Sequence, residues 1–246
     1  IEICASNNDP KSSYGDSSFR YLKKAIEIVK QYPDSALVTG PICKKSWSQA
    51  GHNFSGQTEV LAKSLEVKNV GMLFTAKSPI TGWRFNTLLA TTHIALCDVP
   101  KRLNTKLIHD KLDLLKDFCV TYTKKPTLKV SGLNPHAGEE GILGNEEKDW
   151  LTDALITWNE KNKEIKLLGP LSPDSCWNSS AKAWRHENAE QHNGILAMYH
   201  DQGLIPMKVI ALNYSVNTTI GLPFIRTSPD HGTGFDIARK GIAQSQ

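Results

Sequence analysis

The sequence has 246 residues and lacks any apolar run long enough to cross a bilayer, and no signal-peptide pattern opens it. Cysteine is scarce, and the absence of a C-x-x-C pair argues against a disulfide framework and a zinc ribbon. The five cysteines are Cys4, Cys43, Cys97, Cys119 and Cys176. From these absences we expect a cytoplasmic protein with reduced thiols and no membrane partner.

A strong excess of one charge is absent as well. The formal net charge is +4, and the lysines are dispersed along the chain. Nucleic-acid-binding domains usually cluster Lys and Arg on one face, so we expect no nucleic-acid partner. The slight basic excess suits small anionic substrates instead.

Apolar runs of strand character alternate with amphipathic helical patterns along the chain. Residues 17–32 have apolar side chains at three- and four-residue spacing, which predicts a helix capped by Asp16 or Ser17. Further helices are predicted from about 58 to 65 and over 106–120, 145–161 and 235–243. Strands are predicted over 35–41, where the strand runs into a Gly-Pro turn, and over 70–76, 85–93, 127–135 and 194–201. This order predicts an α/β fold with a mainly parallel sheet covered by helices.

Three histidines follow predicted strands, namely His93 in "LLATTHIALCD", His136 in "KVSGLNPHAGEE" and His200 in "AMYHDQG". Ligands of open α/β sheets bind at the carboxyl ends of the strands. Three imidazoles there can hold one divalent ion and leave positions open for substrate. The pattern predicts a metal site, with acidic neighbours that fix the ring tautomers. Those neighbours are Asp98, Glu139 and Asp201.

Other polar residues have a simpler interpretation. A lone histidine at a strand end is usually a surface or hydrogen-bonded residue, and we assign such roles to His52, His109, His186 and His192. Glu146 and Glu147 are interpreted as charges at a helix N-terminus.

The segment "GLPFIRTSPDHGTG", residues 221–234, contains a glycine-rich loop that can offer backbone N–H groups to a phosphate or ribose. The motif G-x-G-x-x-G is absent, so a Rossmann fingerprint is not supported. Lys208, Asn217 and Arg226 follow His200, and lysine and arginine suit phosphate and carboxylate recognition. Each of them alone is more often a solvated surface residue.

Six strings together resemble the PdxA family of vitamin B6 biosynthesis, the 4-hydroxythreonine-4-phosphate dehydrogenases. They are "TGPICKKSW…AGHNFSGQTEVLA", "ATTHIALCDV", "GLNPHAGEEGILGNEE", "GPLSPDS", "AMYHDQGLIPMK" and "VNTTIGLPFIRTSPDHGTG". The resemblance runs from about residue 16 to the last residue in the family's order, and the strings around His136 and His200 are long and specific.

The resemblance implies the two-lobed fold of the isocitrate and isopropylmalate dehydrogenases, with the active site in the cleft between the lobes. It implies NAD(P)-linked, metal-dependent oxidation of 4-phosphooxy-L-threonine, followed by loss of CO2 to give 3-amino-2-oxopropyl phosphate. It also implies a homodimer with an active site shared between subunits. The family's segments before and after these strings are expected to be missing from this single two-lobed chain, whose lobe boundaries the strings do not define.

The resemblance also assigns residues to roles. It implies that His93, His136 and His200 bind the metal and that Asp174 and Asp201 line the active site. The substrate-contacting positions correspond to Gln57, Thr58, Lys208, Asn217 and Arg226. The adenosine-binding loop corresponds to "DHGTGFDIARKGIA", so His231, Gly232 and Asp236 are expected to bind the cofactor. An all-imidazole site favours zinc or cobalt over magnesium or manganese.

Two points stay open at the level of sequence. The family usually has Gly-His-Thr-Glu where this chain has Gly-Gln-Thr-Glu at 56–59. Unlike histidine, the Gln57 side chain does not take up a proton near neutral pH. Lys208 is the first candidate for the catalytic base, with Asp174 and Asp201 behind it, although Lys208 and Arg226 could instead grip the phosphate or the carboxylate. The alternatives are a sister dehydrogenase of erythronate or threonate 4-phosphate, a metal-dependent phosphoester hydrolase, and a non-catalytic binding protein.

Overall fold

The computed structural model describes residues 10–32 and 34–243. Cys4 lies outside these residues. The chain divides into two compact units: unit 1 contains the residues up to Val70 and those from Asn217 onward, and unit 2 contains Gly71–Val216. None of the helices in the described ranges combines the length and the apolarity that crossing a membrane requires.

The secondary structure alternates as the sequence predicts. The helices are α1 (Pro10–Gln31), α2 (Lys44–Gln49), α3 (Gln57–Leu65), α4 (Val99–Arg102), α5 (Thr105–Val120), α6 (Thr152–Lys161), α7 (Asn178–Arg185) and α8 (His200–Ala211). The strands are β1 (Ala36–Val38), β2 (Gly71–Lys77), β3 (Arg84–Leu89), β4 (Thr127–Ser131), β5 (Lys166–Leu171), β6 (Gly194–Ala197), β7 (Val216–Ile220) and β8 (Ile225–Ser228).

The described residues of unit 1 form three strands and three helices. Strand β1 pairs in parallel with β8, and β8 pairs antiparallel with β7. Its core is built around the fully buried Trp47 of α2 and Leu61 of α3, together with apolar side chains of α1. The indole of Trp47 donates a hydrogen bond of 2.7 Å to the Ser18 hydroxyl, which satisfies its only polar atom.

Unit 2 contains the strand order β2-β3-β6-β4-β5. The β2–β3 pair is antiparallel, whereas β3–β6, β6–β4 and β4–β5 are parallel. Every residue of β6 is buried, as expected for a parallel strand covered on both faces. The mainly parallel sheet predicted from the sequence is therefore confirmed.

Two predictions about unit 1 are wrong in detail, namely the start of α1 and the length of β1. Helix α1 begins at Pro10, so neither Asp16 nor Ser17 is its N-cap; proline is favoured in the first helical turn. The predicted buried strand 35–41 is only the three-residue β1, of which Leu37 alone is buried. The cause is its place at the end of the strand order, which leaves it one strand neighbour.

The helix predicted over 235–243 is absent, and the chain forms consecutive turns there. Gly234, Arg239 and Gly241 have φ values of 60°, 65° and 64°, in the left-handed region that interrupts a helix. The backbone bonds from Ile237 to Gly234 and from Lys240 to Ile237 span three residues, as in turns.

Candidate active site

The carboxyl ends of three neighbouring strands bring the predicted metal ligands to one edge of the sheet in unit 2. Strands β3, β6 and β4 are adjacent and parallel, so their carboxyl ends point the same way. His93, His200 and His136 follow these three ends within a few residues. The strand-end placement inferred from the sequence is what the fold shows.

His93 and His200 face a common space. Their ring centroids are 5.4 Å apart and their planes are tilted by 46°. Both line a cavity of about 250 Å³ together with Tyr199 and Asp201. Two imidazoles on one tetrahedral ion have centroids roughly 5 Å apart, given a metal–nitrogen distance of about 2.0–2.1 Å. The pair therefore fits a divalent metal ion.

Asp201 fixes the tautomer of His200. The Nδ1 of His200 lies 2.7 Å from Oδ1 of Asp201. A carboxylate only accepts hydrogen bonds, so Nδ1 carries the hydrogen and Nε2 keeps its lone pair for a ligand. This arrangement is common around metal-binding histidines.

The third predicted ligand, His136, stands apart from this pair in one chain. Within the described residues, no three His, Cys, Asp or Glu side chains come together in a group that could hold a metal ion. His136 lies instead near Asp174, and Asp174 belongs to the loop that follows β5. A hydrogen bond of 2.5 Å from the Ser172 hydroxyl, aided by the charge of His136, lowers the pKa of Asp174.

The loop that carries His136 has an uncommon backbone. Residues 136–140 all have positive φ, between 44° and 81°, and only one of them is glycine. Each non-glycine residue in this region costs about 1–2 kcal/mol relative to a right-handed conformation. Such strain clusters at functional sites and persists only where the surrounding structure holds it.

The other acidic and imidazole side chains have structural contacts. Asp98 pairs with Lys101 at 2.7 Å. Glu139 is exposed. His52 lies 2.9 Å from Asp16, and His109 contacts the carbonyl of Ala154 at 2.8 Å.

His192 is hydrogen-bonded, which is one of the two roles assigned to it from the sequence, and it is buried rather than on the surface. It is 1% exposed, and its Nε2 lies 3.3 Å from the Ser180 hydroxyl. Burial, followed by the charge of Lys129, lowers its pKa to about 3. Trp83 packs against the His192 ring, at a centroid distance of 5.0 Å.

Arg226 anchors a buried polar cluster in unit 1. The guanidinium donates to Thr219 Oγ1 at 2.9 Å, to Thr39 Oγ1 at 2.8 Å and to Gln57 Oε1 at 3.1 Å. Gln57 in turn donates to the Gly40 carbonyl at 2.8 Å. Burial lowers the pKa of Arg226 to about 10, against the opposing charge of Glu59, so the side chain stays charged at neutral pH.

Two atoms near this cluster have unused hydrogen-bonding capacity. Within the part of the chain that the structure describes, Nε of Arg226 and Oδ1 of Asn217 are buried without a hydrogen-bond partner. The register pairs Thr219 with Arg226, and Asn217 lies two residues before Thr219, so the three side chains share a sheet face. A buried polar atom without a partner is uncommon in native proteins and is explained by strain, a functional role, or a bound water or ion.

The remaining predicted residues are spread over both units. Thr58 lies half-buried in the first turn of α3, and Lys208 is exposed on α8, two turns after His200. His231 and Asp236 are exposed in the turns after β8, and Nδ1 of His231 lies 2.7 Å from the Gly232 carbonyl.

A cavity of about 500 Å³ adjoins these turns within unit 1. It is lined mainly by apolar and aromatic side chains, including Tyr14, Ile42 and Phe235, with Lys45 as a cation. Its size falls in the range of small-molecule and cofactor sites. Cys43 lies on its wall, and hydrogen bonds from Ser46 lower the pKa of this thiol.

A family model described as "Pyridoxal phosphate biosynthetic protein PdxA" matches residues 2–246. The chain belongs to the PdxA family. A 4-hydroxythreonine-4-phosphate dehydrogenase of Synechococcus sp. (strain RCC307) is 52% identical over 235 residues, covering 94% of this chain and 71% of that relative. The crystal structure of 4-hydroxythreonine-4-phosphate dehydrogenase from Klebsiella pneumoniae matches with a TM-score of 0.79 at 33% identity, covering 96% of this chain and 67% of that one.

A more distant structure supports the fold. Isocitrate dehydrogenase from Methylococcus capsulatus matches with a TM-score of 0.52 at 14% identity, covering 95% of this chain and 77% of that one. At this identity the likeness concerns the fold alone. The family resemblance and the α/β dehydrogenase fold predicted from the sequence are both confirmed.

Sequence reasoning missed two residues of this PdxA-family chain. Glu147, assigned to a helix N-terminus, is buried and hydrogen-bonded to the loop that carries His136. Thr39 binds Arg226 across 187 positions of the chain. No periodicity or motif spacing encodes such distant contacts.

Proposed function

We propose that this chain oxidises 4-phosphooxy-L-threonine with NAD or NADP and that the product loses CO2 to give 3-amino-2-oxopropyl phosphate. The family membership supports the reaction class. The observation that carries the proposal is the His93–His200 pair at the carboxyl ends of β3 and β6, with Asp201 against Nδ1 of His200.

The proposed metal ligands are His93, His136 and His200. One chain brings two of these imidazoles together, and the proposal is that His136 joins the pair from a second copy of the chain. A bound divalent ion supplies Lewis-acid polarisation of substrate oxygens. Neutral imidazoles suit zinc or cobalt better than magnesium or manganese.

The anionic groups of the substrate are proposed to bind a set of five residues: Gln57, Thr58, Lys208, Asn217 and Arg226. Arg226 is the strongest anchor because it is a buried cation whose described hydrogen-bond partners are all neutral. Gln57 holds the guanidinium in place through its amide oxygen. This contact gives Gln57 a positioning role that requires no proton transfer.

Lys208 is proposed as the base that accepts the proton of the substrate hydroxyl. Asp174 and Asp201 are the other candidates from the sequence. The lowered pKa of Asp174 makes its carboxylate a weaker proton acceptor, and Asp201 already accepts from His200. These two facts favour Lys208.

The nicotinamide cofactor is proposed to bind by its adenosine end at the turns that contain His231, Gly232 and Asp236. The neighbouring cavity of about 500 Å³ supports this, since its walls include Phe235 and Tyr14, which can stack on a base. A Cβ at Gly232 would meet no atom within 4 Å, so a ligand can approach this backbone closely.

A homodimer is proposed because the metal ligands are divided within one chain and because α8 has an apolar exposed stripe. Ile205 and Val209 on α8 and Leu212 directly after its last residue are spaced one turn apart and are each more than half exposed. A second copy of the chain that covers this stripe would remove its apolar surface from water.

The deciding experiment is NADH or NADPH formation at 340 nm with separate substrates. Turnover with 4-phosphooxy-L-threonine supports the proposal. Preference for erythronate or threonate 4-phosphate favours the sister dehydrogenase, whereas phosphate release without reduced cofactor favours a hydrolase. If none of these substrates gives reduced cofactor or free phosphate, the result favours a non-catalytic binding protein and overturns the proposal.

A further inference from the structure

The carboxylate of Glu147 is buried against the loop that carries His136. It is 4% exposed, and Oε1 accepts hydrogen bonds from the backbone N–H groups of Leu133 at 2.7 Å and Asn134 at 2.8 Å. Oε2 accepts from the Asn134 side-chain amide at 2.8 Å. Within the described residues no cation pairs with it, so these three donors compensate its charge.

The loop leaves this carboxylate little room to move. A Cβ at Gly138 would lie 2.7 Å from the Gly144 carbonyl oxygen and 2.9 Å from Oε2 of Glu147. A Cβ at Gly132 would lie 3.0 Å from Oε1 of Glu147. These two glycines lie on either side of His136 in the chain, and both closely approach the same carboxylate.

The backbone between these glycines needs an external support. Residues 136–140 all lie in the left-handed region, which an isolated chain rarely populates. Within the loop, Ala137 bonds back to Asn134 and Leu143 bonds back to Gly138. Asn134 therefore links the left-handed turn to the carboxylate of Glu147, which in turn belongs to the helical segment that continues into α6.

We propose that Glu147 is the positioning residue of His136, which holds the left-handed loop so that the imidazole is placed to bind a divalent ion. The inference rests on the proposed function, since it takes His136 as a metal ligand. Groups that orient metal ligands typically change metal affinity by about 10–100-fold when they are mutated.

The test compares Glu147→Gln with Glu146→Gln in the whole chain. Glutamine is nearly isosteric but uncharged, and its NH2 group would face the Asn134 amide as a second donor. The dissociation constant for Co²⁺, measured by competition with a chromophoric chelator, is expected to rise about tenfold or more for Glu147→Gln. Amide hydrogen exchange over 132–144 in the metal-free protein is expected to accelerate.

Glu146 is a matched control because it accepts from the same Asn134 amide at 2.7 Å but has no described bond to the loop backbone. Its variant is expected to stay within about twofold of wild type in Co²⁺ affinity. A lower thermal midpoint for Glu147→Gln with unchanged Co²⁺ affinity would show a purely structural role and overturn the inference.

A second pair decides the matter if Glu147→Gln does not fold. Gly138→Ala pushes against the Glu147 carboxylate and is expected to weaken Co²⁺ binding. Gly82→Ala is its control, since Gly82 also has positive φ, at 70°, but would place its Cβ in open space. Equal Co²⁺ affinities for these two variants would contradict the inference.

A His136→Ala variant distinguishes an error in the proposed metal ligands from an error in the positioning role of Glu147. If it keeps wild-type Co²⁺ affinity, the ligand set of the proposed function is wrong. If it loses Co²⁺ while Glu147→Gln and Gly138→Ala remain within about twofold of wild type, only the positioning role fails.

Discussion

Arg226 is a buried cation, whereas residue type and position alone made it one of several candidates that are more often solvated surface residues. The pattern "PFIRTS" alone is compatible with a solvated arginine on an edge strand. In the fold the side chain is 4% exposed and reaches Gln57 and Thr39, which are 169 and 187 positions away. Contacts of this range depend on how strands and helices pack, so the sequence could supply the residue and not its partners.

Replacing Arg226 is expected to weaken substrate binding. A charge-assisted contact to a phosphate or carboxylate contributes about 1.5–3 kcal/mol, so Arg226→Ala should raise KM by about one to two orders of magnitude with kcat nearly unchanged. Arg226→Lys should recover only part of the loss, because an ammonium cannot reproduce the guanidinium fork. Steady-state kinetics check this, with the exposed Arg185→Ala as control. A kcat/KM within about twofold of wild type for Arg226→Ala would show that the residue is not a substrate anchor.

His192 should make the stability of the fold depend on pH. Burial lowers its pKa to about 3, below the unfolded value of 6.5, so the unfolded state binds one more proton between these values. The contribution of neutral His192 to the free energy of unfolding is fully present above pH 6.5 and falls by about 1.4 kcal/mol per pH unit as the pH drops toward 3. Between about pH 7.5 and about pH 5, the free energy of unfolding measured in urea should fall by about 2 kcal/mol less for His192→Gln than for wild type. Equal losses for both proteins would contradict the assignment.

At the scale of helices and strands, local patterns predicted about half of the elements that the structure describes, and the predicted strand 194–201 ends at Ala197 because His200 begins α8. Helices α3 and α5 and strands β2 and β4 lie where periodicity and turn residues indicated. The predictions fail where packing or backbone conformation overrides pattern: at the start of α1, in the short β1 and in the turns after Gly234. The left-handed loop at 136–140 had no sequence signal, since four of its five residues are not glycine.

The crossing of α1 and α2 depends on Gly15. A Cβ at this position would lie 2.0 Å from the carbonyl oxygen of Ser46, which is a backbone atom that cannot rotate away. Alanine would favour the helix by about 1 kcal/mol, yet overpacking of this kind costs about 1–3 kcal/mol or more. Gly15→Ala is therefore expected to lower the free energy of unfolding, measured by urea denaturation. The exposed Lys30→Ala on the same helix serves as control, and an increase in stability for Gly15→Ala would refute the close crossing.

At the scale of the whole molecule, the apolar stripe of α8 should control assembly. Val209 is 78% exposed in one chain, and a charge there would oppose burial against a second copy. Val209→Asp is expected to shift the protein from dimer to monomer in sedimentation velocity at micromolar concentration and to weaken metal binding with it. Ile156→Asp on the exposed face of α6 is the matched control and should remain dimeric. A monomeric wild-type protein would contradict the shared site.

The central claim is that His93, His136 and His200 form a metal site on which dehydrogenase activity depends. The most direct measurement is a Co²⁺ titration of chelator-treated protein, with NADH formation from 4-phosphooxy-L-threonine followed at 340 nm. The account predicts that activity is nearly absent without metal, rises linearly and levels off at one Co²⁺ per chain, and that each His→Ala variant stays inactive. Full turnover by the metal-free protein, or wild-type titration by any of the three variants, would contradict it.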